Sequence, residues 1–207
     1  MEKSKRKEIE FQHRRAEILT EAEKIFASKG FHNTTMAEIA NASGFAIGTL
    51  YQFFEGKENL FTIMVSEKLD RMYSEIRESV NEEETIRNKI RKLVESQFHF
   101  VENNIDFCDL LIRGEGSTIA DGGTILRDNL IKEYFNHVSF VEDIMRWGTE
   151  TKALKAMEAR MMAYSLLGIM RSFIYYWLLT KQDTFLTDKV DCVLDIFLKG
   201  VESEVVE

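Results

Sequence analysis

Thr35, Ala46, Ile47, Gly48, Thr49, Tyr51, Gln52 and Lys57 lie in one short stretch and offer hydroxyls, an amide, a phenol and an ammonium among small side chains. That chemistry suits hydrogen bonding to phosphate oxygens and to the edges of base pairs. Thr35, Tyr51 and Lys57 carry donors suited to phosphates. Ala46, Ile47, Thr49 and Gln52 suit base edges, and the Gln52 amide can pair with adenine. Gly48 inside a helix costs about 1 kcal/mol against Ala, which is tolerable where a nucleic-acid backbone must approach closely.

The elements that position these groups are readable. Thr35 and Glu38 form a capping box, which fixes the start of a short helix. Met36, Ile39, Ala40 and Ser43 make its inward stripe. Gly44 follows, where a turn between widely crossing helices needs a positive φ. The next helix, over 46–54, turns Leu50 and Phe54 inward and leaves the residues above outside. The layout is a helix-turn-helix shaped for the major groove. An earlier helix is predicted from Phe11 to Ser28, stopped by Gly30.

These residues carry a specific resemblance. Ala22, Phe26, Gly30, Thr34, Thr35, Ile39, Ala40, Gly44, Gly48, Leu50, Tyr51, Phe54, Lys57, Leu60 and Phe61, with the run GTLYQFFEGKENLF, resemble the DNA-binding domain of the TetR family of transcriptional regulators. The resemblance covers about Ala16 to Phe61. It implies a homodimer on a palindromic operator, controlled by a small effector. Phe53 and Glu55 depart from it: the family often has a polar phosphate-contacting residue at the first position, and Lys or a neutral residue at the second.

The 207-residue chain as a whole fits an all-α fold of about nine helices, divided into a DNA-binding domain over 1–60 and an effector-binding and dimerisation domain over 61–207. Proline is absent, so long helices are permitted. Strand signals are absent too. After the third helix the pattern predicts helices over 57–80, 86–103, 106–113, 125–147 (ending near Gly148), 152–180 and 188–201, with a flexible connection over 114–123.

Net charge is −8, unexpected for a nucleic-acid binder, but Met1–Leu60 carries equal numbers of basic and acidic side chains. The excess acid lies outside the motif. Lys3, Lys5, Arg6, Lys7, Arg14 and Arg15 gather ahead of the first helix, either as a phosphate-contacting arm or as a solvated, frayed terminus. Cys108 and Cys192, in no CxxC pair, fit free thiols in a reducing cytoplasm. No apolar run is long enough to span a bilayer, and no secretory signal is expected.

The last two predicted helices are too apolar for a monomer surface, which assigns Gly168, Ile174, Val190, Leu194, Phe197 and Val201 to a dimer interface. Bulky soft side chains mid-chain read either as ordinary core or as an adaptable apolar cavity. The cavity reading takes Phe98, Phe107, Leu111, Tyr134, Phe135, Met162, Phe173 and Trp177. Arg113 and Arg171 either hold the acidic group of an amphipathic ligand or serve as surface ion-pair partners. A fatty acid or acyl thioester is the first candidate, and a lipophilic cation beside Glu115 the second.

Glu95, His99 and Glu102 share a helix face that His137 could join as metal ligands, although an exposed polar face is the simpler account. No catalytic motif appears, and no enzyme activity or cofactor is expected. The alternative to a ligand-released repressor is a helix-turn-helix protein that organises chromosomes.

Overall fold

A computed structural model describes residues 2–113, 123–180 and 184–201, with backbone alone at 2–4, 113, 123 and 124. Nine α-helices and one 3-10 turn occur among them, and no strand. The helices are α1 (Glu2–Lys29), α2 (Met36–Ser43), α3 (Ile47–Phe53), α4 (Lys57–Asn81), α5 (Ile86–Asn103), α6 (Ile105–Arg113), α7 (Gly123–Glu150), α8 (Ala159–Thr180) and α9 (Val190–Val201). None is long and apolar enough to cross a membrane.

The chain forms two compact units, Met1–Lys68 with Asp106–Asn129, and Leu69–Ile105 with Leu130–Glu207. In the first, Ile18, Ala22 and Phe26 of α1 are fully buried, as are Ile39, Leu50, Leu60 and Phe61. Phe26 meets Phe61 edge-on at 4.9 Å, an arrangement that favours aromatic pairs beyond their area. Arg15 clasps Glu67 with both guanidinium nitrogens, and Lys68 pairs with Glu23. Cys108 is buried, which pushes its thiol up to about 12 and makes it inert.

In the second unit α9 packs on α5 and α8. Val193, Leu194, Phe197 and Leu198 are buried on one side of α9, and Ile90, Leu93, Val94 and Phe98 on one side of α5. Polar side chains close the ends. The Thr85 hydroxyl accepts from the Asn88 N–H to start α5, and Lys155 donates from backbone and ammonium to the carbonyls of Val201 and Gly200. The Glu102 carboxylate accepts from the Thr187 N–H at 2.8 Å.

Three boundaries differ from the sequence reading by more than two residues. The first helix begins at Glu2 rather than near Phe11, so the basic segment is helical, not a loose arm. The seventh runs through Gly148, because that glycine is a close-approach site rather than a stop. A Cβ there would lie 2.7 Å from Leu154 Cδ1 and 2.9 Å from Ile86 Cγ1. The eighth begins at Ala159 rather than Lys152, because Lys152 takes a φ of 61° and Leu154 N–H turns back to the Gly148 carbonyl.

Gly148→Ala is therefore expected to lower stability despite the better helix propensity of Ala. Overpacking by about 1–3 kcal/mol outweighs a propensity gain of at most about 1 kcal/mol. A urea midpoint below wild type checks this; a raised midpoint means that Leu154 and Ile86 yield freely.

Candidate nucleic-acid interface

The turn is built by local hydrogen bonds. The Thr35 hydroxyl accepts from the Glu38 N–H at 3.2 Å, and the Glu38 carboxylate accepts from the Thr35 N–H at 2.9 Å. The Lys29 ammonium and then these Thr35 groups hold the Glu38 carboxyl down at about 2. Gly44 sits at φ 72°, and its N–H closes α2 on the carbonyls of Ala40 and Asn41. α3 then starts from Ala46 in extended backbone.

α3 divides sharply. Leu50 and the following Phe54 are buried, whereas Ala46, Ile47, Gly48, Tyr51 and Gln52 are exposed and Thr49 is half-buried. Ile47 and Tyr51 are 45% and 54% accessible and lie one turn apart on the same face. A Cβ at Gly48 would meet nothing within 4 Å, so its own fold does not demand a glycine there. The expected base-facing and phosphate-facing side chains of α3 thus converge on one uncovered surface.

Lys57 is used differently from the sequence reading. Its ammonium donates to the Phe31 carbonyl at 2.8 Å and the His32 carbonyl at 3.4 Å, and lies 4.4 Å from the Phe31 ring centroid. It ties the α1–α2 connection to the first turn of α4. Arg15, also grouped with the basic arm, is committed to Glu67 and lies over the Phe54 ring. Lys5, Arg6 and Lys7 are exposed. Phe53 is covered by Phe11 at a ring separation of 4.3 Å.

The cavity candidates are dispersed. Phe107 is buried beneath the Lys68 ammonium in the first unit, where Leu111 is half-buried. In the second unit Phe98 and Met162 are buried, Phe173 and Trp177 half-buried, and Tyr134, Phe135 and Arg171 exposed. The Trp177 indole donates to the Thr184 carbonyl at 2.7 Å. The Arg113 side chain and Glu115 lie outside the described residues.

Four of the interface candidates are corrected. Val190, Leu194, Phe197 and Val201 are buried within the chain's own core, because α9 lays its apolar stripe on α5 and α8. Ile174 is half-buried, and a Cβ at Gly168 would meet nothing within 4 Å. From α8 to α9 the large apolar side chains left uncovered among the described residues are Met161, Tyr176 and Leu179 of α8, Phe185, and Ile196 of α9.

The metal constellation is not assembled. Glu95 pairs with Arg91, Glu102 is engaged by Thr187, and no group of three metal-ligating side chains comes together among the described residues. His137 is instead buried and stacked on Tyr73 at 4.5 Å, with neither ring nitrogen hydrogen-bonded. Burial, and then the nearby Arg77 charge, lowers it to about 4. Nothing in the sequence marked it as buried.

Residues 18–62 match the model for bacterial regulatory proteins of the tetR family. Among curated proteins the chain is similar to the fatty acid metabolism regulator protein of Bacillus subtilis (strain 168), at 19% identity over 91% of this chain and 95% of that one. It is also similar to the transcriptional activator FasR of Mycolicibacterium smegmatis, at 26% identity over 80% and 72%. Its fold matches the crystal structure of the regulator FadR from Bacillus subtilis in complex with stearoyl-CoA, with a TM-score of 0.79 and 19% identity over 89% of this chain and 98% of that one.

Proposed function

Since the chain belongs to the tetR family of DNA-binding transcriptional regulators, not enzymes, we propose that it is a homodimeric repressor released from a palindromic operator by a fatty acid or acyl thioester. The observation that carries the DNA-binding part is the split of α3. Its inward residues anchor it, while Ile47, Gly48, Tyr51 and Gln52 form an exposed face with a flat spot at Gly48. The capping box and left-handed Gly44 fix the two ends of α2, and buried Leu50 and Phe54 fix which face α3 turns outward after that turn, as base reading requires. Two-fold pairing of protomers through the uncovered face of α8 presents two such helices to successive major grooves.

The effector class rests on the soft apolar residues of the second unit and on the likeness to regulators of fatty acid metabolism, one of them solved with stearoyl-CoA. α4 is one continuous helix from Lys57 beside the DNA-reading elements to Tyr73 and beyond in the second unit. A ligand that prefers one placement of α4 shifts operator affinity by its differential binding, with a coupling of about 1–3 kcal/mol.

The test is operator titration with and without stearoyl-CoA, stearate and a lipophilic cation, with melting curves to show that each binds. Stearoyl-CoA or stearate is expected to weaken operator binding about 5–150-fold. Gln52→Ala is expected to relax preference at one base pair by about 1–3 kcal/mol. An unchanged sequence preference in that variant removes Gln52 from base reading. Ligands that bind yet leave operator affinity unchanged remove the switch.

A further inference from the structure

We propose that the opening turns of α1 are a second DNA contact, stapled to the recognition helix α3 by Phe11 and Phe53, and that Lys5, Arg6 and Lys7 reach phosphates flanking the bases α3 reads. The proposal rests on the reading of α3 as the groove-binding helix.

Phe53 ends α3 where a polar, phosphate-contacting side chain is the expectation, and such a phenylalanine needs cover. Phe11 supplies it, with ring centroids 4.3 Å apart and planes at 36°. Phe11 itself is 42% exposed. Every residue from Lys5 to Arg14 is exposed, so no core there demands a helix. A solvated helical end of this kind ordinarily frays. The ring contact ties it to the end of α3.

Helix geometry then sets which charges travel with the staple. Lys7 is four residues before Phe11 and shares its face, one turn further out, while Arg6 and Lys5 project from the rest of that turn, about 100° and 200° round the axis from Lys7. The neighbouring acids are engaged along the helix: Glu8 accepts from Gln12 at 2.9 Å, and Glu10 pairs with Arg14. Residues 5–10 thus carry three cationic side chains, grouped outermost, against the carboxylates of Glu8 and Glu10, in a chain whose overall charge is −8. Beside a groove-bound helix the polyanion within reach is the duplex backbone, which such a cluster grips through counterion release.

The experiment measures affinity of the full chain against salt concentration, using a duplex of about 30 base pairs selected from a random library. Replacing Lys5, Arg6 and Lys7 together with Ala is expected to lower the slope of log affinity on log salt by about two to three. Phe11→Ala, which removes no charge, is expected to lower it too, because the cations lose their placement. Gln52→Ala is expected to leave the slope as it is. Melting curves establish that each variant is folded.

An unchanged slope in the triple variant overturns the proposal while the reading of α3 stands. A lowered slope in the triple variant with an unchanged one in Phe11→Ala overturns the staple. A wild-type chain that binds no duplex overturns both.

Discussion

Phe197→Asp is expected to unfold the second unit, not to release folded protomers from a dimer. Phe197 is 3% exposed, and its stripe-mates Val193, Leu194 and Val201 are buried with it, where α9 packs on α5 and α8. Deleting a buried phenylalanine costs about 3–5 kcal/mol, and an unpaired buried carboxylate adds several more. The sum is of the same order as the whole stability of a domain, about 5–15 kcal/mol.

Gly168→Trp is the contrasting variant. A Cβ there meets nothing within 4 Å, so the first atom of a new side chain meets no obstacle in the protomer itself. It is expected to sediment as a folded monomer. Near-ultraviolet dichroism and sedimentation distinguish the two results. A folded Phe197→Asp protein contradicts the packing of α9, and a dimeric Gly168→Trp protein moves the interface away from α8.

The second large effect is on acid stability. Burial, and then the Arg77 charge, holds His137 down at about 4 in the folded chain, against an ordinary value of 6.5. As pH falls below 6.5 the unfolded chain takes up a proton that the folded chain refuses. Stability is therefore full above about 6.5 and lost as pH falls towards 4, by roughly 3 kcal/mol across that window. His137→Phe keeps the stacking on Tyr73 and removes the titration. It is expected to flatten that part of the pH profile and to raise stability at neutral pH, since two unsatisfied buried nitrogens disappear. Urea unfolding at several pH values compares the two proteins; parallel profiles exclude His137 as the source.

What was legible in the sequence was what neighbouring residues decide. The Thr35–Glu38 box, the stops at Gly30 and Gly44 and the α5 span of Ile86–Asn103 each follow from residues within a turn or two of the boundary. Gly148 read as a stop because its reason, the approach of Leu154 and Ile86, is tertiary. The break before α8 contains no proline or glycine; Lys152 adopts the left-handed conformation where its N–H closes on the Thr149 carbonyl, and the Lys155 N–H just beyond is held by the distant Val201 carbonyl. The stripe on α9 was correctly read as buried but assigned to the wrong neighbour, since periodicity reports that a face is covered, not by which chain. Lys57 was expected on a phosphate, and only the fold reveals the carbonyls of Phe31 and His32 beneath its ammonium. In the α3 candidates, sequence and structure agree because buried Leu50 and Phe54 fix which residues face outward.

The indole of Trp177, held by its hydrogen bond to the Thr184 carbonyl, and that of Trp147, beside the Lys89 ammonium, are the chain's two tryptophans, and both belong to the second unit. Red-edge-excited emission is therefore blind to residues 1–68, whereas far-ultraviolet ellipticity sums the helices of both units. In urea, a gap between the emission and ellipticity midpoints measures how independently the two units melt. A change in emission on adding DNA is a report from the second unit alone. The unlabelled protein thus carries its own optical gauge of communication between its halves.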